Sequence, residues 1–188
     1  MNKSITLPTP DIGPGHPRWT DTLRDHSQVT IRPITAGDAE RERAFIEGLS
    51  PAARRFRFLG QLGVPGDALV HQLTDVDQVH HVAFAAVVPM GDDERFVGTC
   101  RYSISRDEAG GECAVTVDDE WQNKGLGTIL MKHLIGIARE RGVTRLYSVD
   151  SAGNRAMKDL AFHLGFHTRP DPADASQLIH ELELQTRA

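Results

Sequence analysis

A glycine-punctuated turn set directly before a long amphipathic helix constrains this chain more than any other feature. From Val115 to Ala138 the sequence reads VTVDDEWQNKGLGTILMKHLIGIA, a strand, a turn and a helix. The turn holds Gln122, Asn123, Lys124, Gly125, Leu126 and Gly127 in a Q-x-x-G-x-G pattern. The first turn of a helix exposes N–H groups that lack partners, together with the positive end of the helix dipole. Glycines let the backbone approach a ligand closely, so such a turn can cradle an anion, most often a phosphate.

Two nucleotide loops are excluded at once. A Walker-type loop needs Lys and Ser or Thr after its last glycine, and no Lys follows Gly127. A dinucleotide fingerprint needs a third Gly or Ala at position 130, which is Leu130. On the loop alone, a plain strand-to-helix turn using glycine for a positive φ stays open.

The flanks narrow the choice. Val115-Thr116-Val117 precede the turn, Arg139-Glu140-Arg141-Gly142 end the helix, and Asn154-Arg155-Ala156-Met157 and Leu164-Gly165-Phe166 follow in order. This arrangement resembles the GNAT family (Gcn5-related N-acetyltransferases) over roughly Val29 to Leu184. The resemblance implies a GNAT fold of the α/β (α+β) class. Its sheet is mixed and mostly antiparallel, with a parallel, splayed central pair and helices on both faces. It also implies acetyl-CoA as co-substrate, its pyrophosphate held by the glycine loop.

Composition sets outer limits. At 188 residues the chain fits one domain with a substantial core. A net charge of −5 argues against a nucleic-acid partner, which calls for a basic face. Met1 to His26 holds no apolar core of signal-peptide length, and no run of about 18 apolar residues could span a membrane, so a cytoplasmic protein without a membrane partner is expected. Cys100 and Cys113 make no disulfide framework and read as reduced, buried thiols.

Residues 1–28 are polar and broken by Pro8, Pro10, Gly13, Pro14, Gly15 and Pro17, and are read as an irregular arm ahead of a domain spanning 29–188. Val29 to Arg32 alternates as a strand. Thr35 with Asp38 forms a capping-box-like start to a helix through Leu49, and Ser50-Pro51 starts another. That second helix carries Arg54-Arg55-Phe56-Arg57-Phe58. Its Phe56 and Leu59 are assigned to the core and its arginines to water, the alternative being a border of an acceptor pocket. The resemblance supports the second use, and a serine followed by this Arg/Phe run is similar to Pat-type bacterial protein lysine acetyltransferases. A helix from Ala68 to Thr74 follows. Strands are expected over 80–88, 96–104 and 112–117, with Gly110-Gly111 marking the second hairpin. In the helix over 126–141, apolar residues at 126, 129, 130, 134, 137 and 138 form one stripe that packs on a sheet. A strand at 146–149, a helix at 154–164 and a strand at 177–184 complete the chain.

Acetyl transfer to an amine requires a grip on the coenzyme, a base, support for the developing oxyanion and a leaving thiolate. For the grip, the resemblance implies that the backbone from Asn123 to Thr128 holds the pyrophosphate, with Gln122 at the start of the motif and Lys124 adding charge. Val115, Thr116 and Val117 pair with the pantetheine arm as an added strand would. Asn154 caps its helix, and the resemblance also brings it to the coenzyme. The base is assigned to Glu112, which matches the glutamate of Pat-type enzymes; a hairpin-flanking surface carboxylate is the alternative. Asp118, Asp119 and Glu120 read as a solvated turn. Many GNAT sequences place a Tyr seven residues after the Asn as acid for the thiolate, and here that position is Ala161.

No metal site is expected, since His80-His81 face opposite sides of a strand and Gly165 separates His163 from His167. Cys113 faces away from Glu112, so direct amine attack in a ternary complex is expected rather than a cysteine intermediate. The acceptor is expected to be a protein lysine or a small amine, a peptide N-terminus being the alternative. A homodimer accords with family habit. The competing class is a non-catalytic acyl-CoA-binding module that keeps the cradle without the chemistry.

Overall fold

The computed structural model describes residues 17–59, 65–104 and 110–184. Eight strands form one sheet: β1 Trp19–Thr22, β2 Gln28–Pro33, β3 His81–Met90, β4 Asp93–Ile104, β5 Gly110–Val117, β6 Arg145–Ser151, β7 His167–Pro170 and β8 Gln177–Glu183. Their order across the sheet is β1-β2-β3-β4-β5-β6-β8-β7. Five helices cover it: α1 Ala39–Gly48, α2 Pro51–Phe58, α3 Asp67–Thr74, α4 Leu126–Glu140 and α5 Arg155–Leu164. This is the mixed α/β arrangement that the sequence pattern implies.

The sheet buries two cores, one on each face. Phe84, Cys100 and Tyr102 pack against Leu126, Leu130, Met131 and Leu134 of α4. On the opposite face Ala83, Ala85 and Phe96 meet Ile34, Phe45, Ile46 and Leu73 from the α1–α3 side. A strand covered on both faces needs apolar residues at every position, which is why HVAFAAVV in β3 shows no alternation. In α4 the buried stripe includes Met131 and Ile135, while Ile129 and Ile137 lie only half-buried at its margin.

The functional geometry comes from one parallel pairing. β5 and β6 are bonded in register at Gly110↔Arg145, Gly111↔Leu146 and Glu112↔Tyr147, and then they part. Beyond that point β5 stays paired to β4 as far as Val117, and β6 to β8 as far as Ser151. Their facing edges, from Cys113 and from Ser148 onward, therefore carry backbone groups with no partner in the opposite strand. Gly110 and Gly111 are the first residues of β5 rather than hairpin residues. A methyl on Gly110 would lie 3.0 Å from Arg145 Nε, and one on Gly111 3.4 Å from Leu146 Cδ2, so both permit close parallel pairing.

Two strands go beyond the elements expected from sequence. Within the segment read as an irregular arm, Trp19–Thr22 pairs with Gln28–Ile31, and His26 turns the chain at φ 67°. Trp19 stacks on His133 of α4 at 4.2 Å, and His133 Nε2 lies 2.8 Å from Asp21 Oδ2. This hairpin is thus fastened to the helix that follows the cradle. Residues 1–16 of the arm fall outside the described residues. The other added strand, β7, is the exposed segment HTRP at the sheet edge, paired on one side only.

Candidate active site

A cavity of about 580 Å³ opens between the parted strands. It runs from the start of α4, past β5, to Glu112, with α2 along one side from Ser50 to Arg57. Of the residues assigned from sequence, Glu112, Val115, Thr116, Val117, Gln122, Asn123, Gly125, Leu126, Gly127, Thr128 and Asn154 all line it. Lys124 does not.

The cradle begins with two left-handed residues, Asn123 at φ 61° and Gly125 at φ 89°. Gly125 is the N-cap of α4, so the N–H groups at the start of α4 face an open space without helical acceptors. Thr116 is buried, and its Oγ1 has no hydrogen-bond partner. Asn154 Oδ1 accepts from Met157 N at 3.1 Å, so its cap on α5 is in place at the cavity wall. An open strand edge, an orphan hydroxyl and a helix start in one cavity fit a long ligand with an anionic end.

Lys124, the cation expected at the cradle, is engaged by its neighbours. Lys124 Nζ lies 3.0 Å from Asp25 Oδ2 and 4.8 Å above the Trp121 ring. Hydrogen bonds from Ser27 and contact with Lys124 hold the Asp25 carboxyl down to about 2, so that pair stays ionised. Arg24, on the β1–β2 hairpin, lies beside the same turn. Its N–H donates to Lys124 O at 3.0 Å, and its side chain lies against Gly125, where a Cβ would be 3.4 Å from Arg24 Nε. Arg24 lines the cavity. Sequence reasoning missed it because the two contacting segments are a hundred residues apart.

The acidic turn after β5 has structural work. Asp119 accepts from Ser50 N at 2.9 Å and from Ser50 Oγ at 2.8 Å, and Asp118 accepts from Glu120 N at 2.9 Å. Ser50 Oγ also accepts from Ala53 N at 3.2 Å, so the residue that caps α2 also ties that helix to the loop before the cradle. α2 consequently lies along the cavity. Its Phe56 and Leu59 are not core residues: both line the cavity, and Leu59 is 46% exposed.

At the far end Glu112 is exposed and sits in a cross-strand row with Ser103 of β4 and Tyr147 of β6. Asp150, unassigned from sequence, also lines the cavity. Burial pushes its carboxyl up, while Ser148 Oγ donates to Asp150 Oδ2 at 2.8 Å and pulls the other way. Cys113 is buried against α4, and burial drives its thiol far above the ordinary value, which removes it as a nucleophile at neutral pH. Ala161 is fully buried. Among the described residues no group of three or more His, Cys, Asp or Glu is placed to share a metal ion. No helix among them is long and apolar enough to cross a membrane.

Residues 63–166 match the family model described as the acetyltransferase (GNAT) family. The chain belongs to the GNAT family. It is 48% identical over 166 residues to acetyltransferase PA5475 of Pseudomonas aeruginosa, covering 88% of this chain and 89% of that protein. It is 32% identical over 141 residues to acetyltransferase Pat of Mycolicibacterium smegmatis, covering 72% of this chain but only 40% of that longer protein. Among solved structures, the GNAT domain of S. lividans PAT superposes with a TM-score of 0.81 at 27% identity, over 89% of this chain and 97% of that one. The Pat-like pattern and the GNAT fold inferred from sequence both stand.

Proposed function

We propose that this GNAT protein moves an acetyl group from acetyl-CoA to a primary amine, on a protein lysine or a small molecule, by direct attack in a ternary complex. The observation that carries this reading is the continuity of the cavity from the α4 cradle, along the open edge of β5, to Glu112. In it the pyrophosphate meets the backbone from Asn123 to Thr128, with Gln122 beside it. Arg24 supplies the side-chain charge, and Lys124 acts indirectly by fixing Asp25 and the hairpin. Val115, Thr116 and Val117 offer their edge to the pantetheine arm, and Asn154 borders it.

Glu112 then removes a proton from the incoming ammonium, whose solution pKa is near ~10.4, so that the nitrogen lone pair can attack the thioester carbon. The thiol formed has a pKa near ~8.5, well below that of the amine, so the thiolate can leave without a dedicated acid at Ala161. Two buried, unbridged cysteines accord with a reducing, cytoplasmic setting.

The fully buried Ala161 favours a second reading, an acyl-CoA-binding module without turnover. Thermal melting with acetyl-CoA, followed by free-thiol release across an amine panel, separates the two. Stabilisation with amine-dependent thiol release supports acetyl transfer. Stabilisation alone supports the module, and the absence of both contradicts each reading.

A further inference from the structure

α2 delivers an arginine to the acceptor end of the cavity and leaves it unspent. The helix is pinned at Ser50, beside the coenzyme cradle, by Asp119. Seven residues on, about 10 Å at the helical rise, Arg57 lines the cavity with Glu112 and Asp150. Its charge interacts with both carboxylates, yet neither forms an ion pair with it. Among the described residues no hydrogen bond or ion pair reaches this guanidinium, which lies near the Phe58 ring, 5.0 Å from Cζ to the centroid.

The next cation inward is committed elsewhere. Arg101 donates from Nη1 to Leu73 O at 3.0 Å and from Nη2 to Glu42 Oε1 at 3.2 Å. Glu42 is buried and pairs with Arg101 through Oε1. Although its charge also favours the protonated Arg57, no ion pair forms between them, and its Oε2 has no hydrogen-bond partner. Burial and the like charge of Arg101 lower Arg57 to about 10, which leaves it protonated at neutral pH with its donors unmatched.

We propose that Arg57 grips an anionic group on the acceptor, and that the substrate is a primary amine bearing a carboxylate close to the reacting nitrogen. A guanidinium presents a planar fork that suits a carboxylate, and unmatched donors in a half-buried site favour a ligand that supplies acceptors. Glu112 and Asp150 beside it receive the ammonium and oppose a dianion, which favours a carboxylate over a phosphate. The carboxylate belongs to a free amino acid or to an acidic residue beside a protein lysine. The inference rests on the acetyl-transfer reading and names its substrate class.

The test compares matched ligands that differ only in the carboxylate. Steady-state rates are measured for L-lysine against 1,5-diaminopentane, and for a peptide with Glu beside its lysine against the same peptide with Gln. Calorimetric binding of the corresponding acetylated products to the CoA complex gives a readout that does not need turnover. We expect at least a tenfold preference for the carboxylate member of one pair, expressed in KM and in product affinity. Which pair shows it identifies the source. Arg57→Gln should erase the preference and leave acetyl-CoA affinity and melting behaviour in place, while Arg57→Lys retains part of it. Equal affinities within both pairs overturn the proposal. So does a fall in kcat with Arg57→Gln that is the same for every acceptor, which would mark an oxyanion contact. A preference that follows succinyl-CoA over acetyl-CoA instead of the acceptor overturns it as well. If the unmodified chain neither binds acetyl-CoA nor releases thiol, the acetyl-transfer reading is what fails.

Discussion

Glu112 and Tyr147 are the last residues that β5 and β6 share as partners, and the cavity opens there, lined by Glu112 itself and by Cys113 and Ser148 just beyond. A base at that point sits at the apex of the opening, where a thioester threaded between the strands would end. Glu112→Gln keeps the shape and hydrogen bonding of the side chain but cannot accept a proton from an ammonium. Its kcat should fall by about 10²-fold or more, the usual scale of general-base catalysis, with acetyl-CoA affinity unchanged. Steady-state kinetics beside calorimetry check this. Unchanged kcat removes Glu112 from the mechanism.

Arg24 lines the cavity at the cradle, whereas Lys124, the cation expected there, is paired with Asp25. A charged hydrogen bond to a phosphate contributes about 1.5–3 kcal/mol, or roughly 10–100-fold in affinity. Arg24→Gln should therefore weaken acetyl-CoA binding by that factor. Lys124→Gln, which loses a partly exposed pair with Asp25, should cost much less. If the two variants lose affinity in the reverse order, the assignment of charge at the cradle is wrong.

The contrast at this site explains what can be read from one sequence. The cradle was legible because Gln122 to Thr128 is contiguous and its chemistry is that of a helix start. Arg24 was not, because it reaches Gly125 through a hairpin whose strand β1 is short and follows a proline-rich stretch. β7 escaped for a related reason: HTRP is exposed throughout, so no alternation marks it. Phe56 and Leu59 looked like core residues because apolar side chains lining a cavity and those filling a core follow the same helical period.

Gly98 tests how tightly α4 is seated. A methyl there would meet Leu130 Cδ1 at 3.0 Å, Leu126 Cδ2 at 3.2 Å and the Thr116 carbonyl oxygen at 3.3 Å. The leucines can shift, but Thr116 O belongs to the strand that borders the cavity. Gly98→Ala should cost about 1–3 kcal/mol, the usual range for overpacking, and should weaken acetyl-CoA binding as well. Denaturant melts and calorimetry read both effects. A variant as stable as the parent would mean that this layer has slack.

His180 gives the fold an acid sensitivity. It is fully buried, its Nδ1 lies 2.7 Å from Thr168 Oγ1, and its Nε2 has no partner. Burial lowers its pKa below the ordinary 6.5, with Asp150 opposing the shift in part. Between the lowered value and about 6.5 the unfolded chain binds more protons than the folded one, so stability falls as pH falls through this window. His180→Gln removes the titration. Its stability should change less than the parent's from about pH 7 to about pH 5. Parallel pH profiles for the two proteins would assign the acid sensitivity to other groups.

The central claim is that the parted strands and the α4 cradle form one coenzyme A site, and calorimetric titration of the unmodified chain tests it most directly. Acetyl-CoA should bind at a single saturable site, at least tenfold more tightly than acetyl-pantetheine, because only the former carries phosphates for the cradle and Arg24. The absence of saturable binding, or equal affinity for the two compounds, would contradict the account.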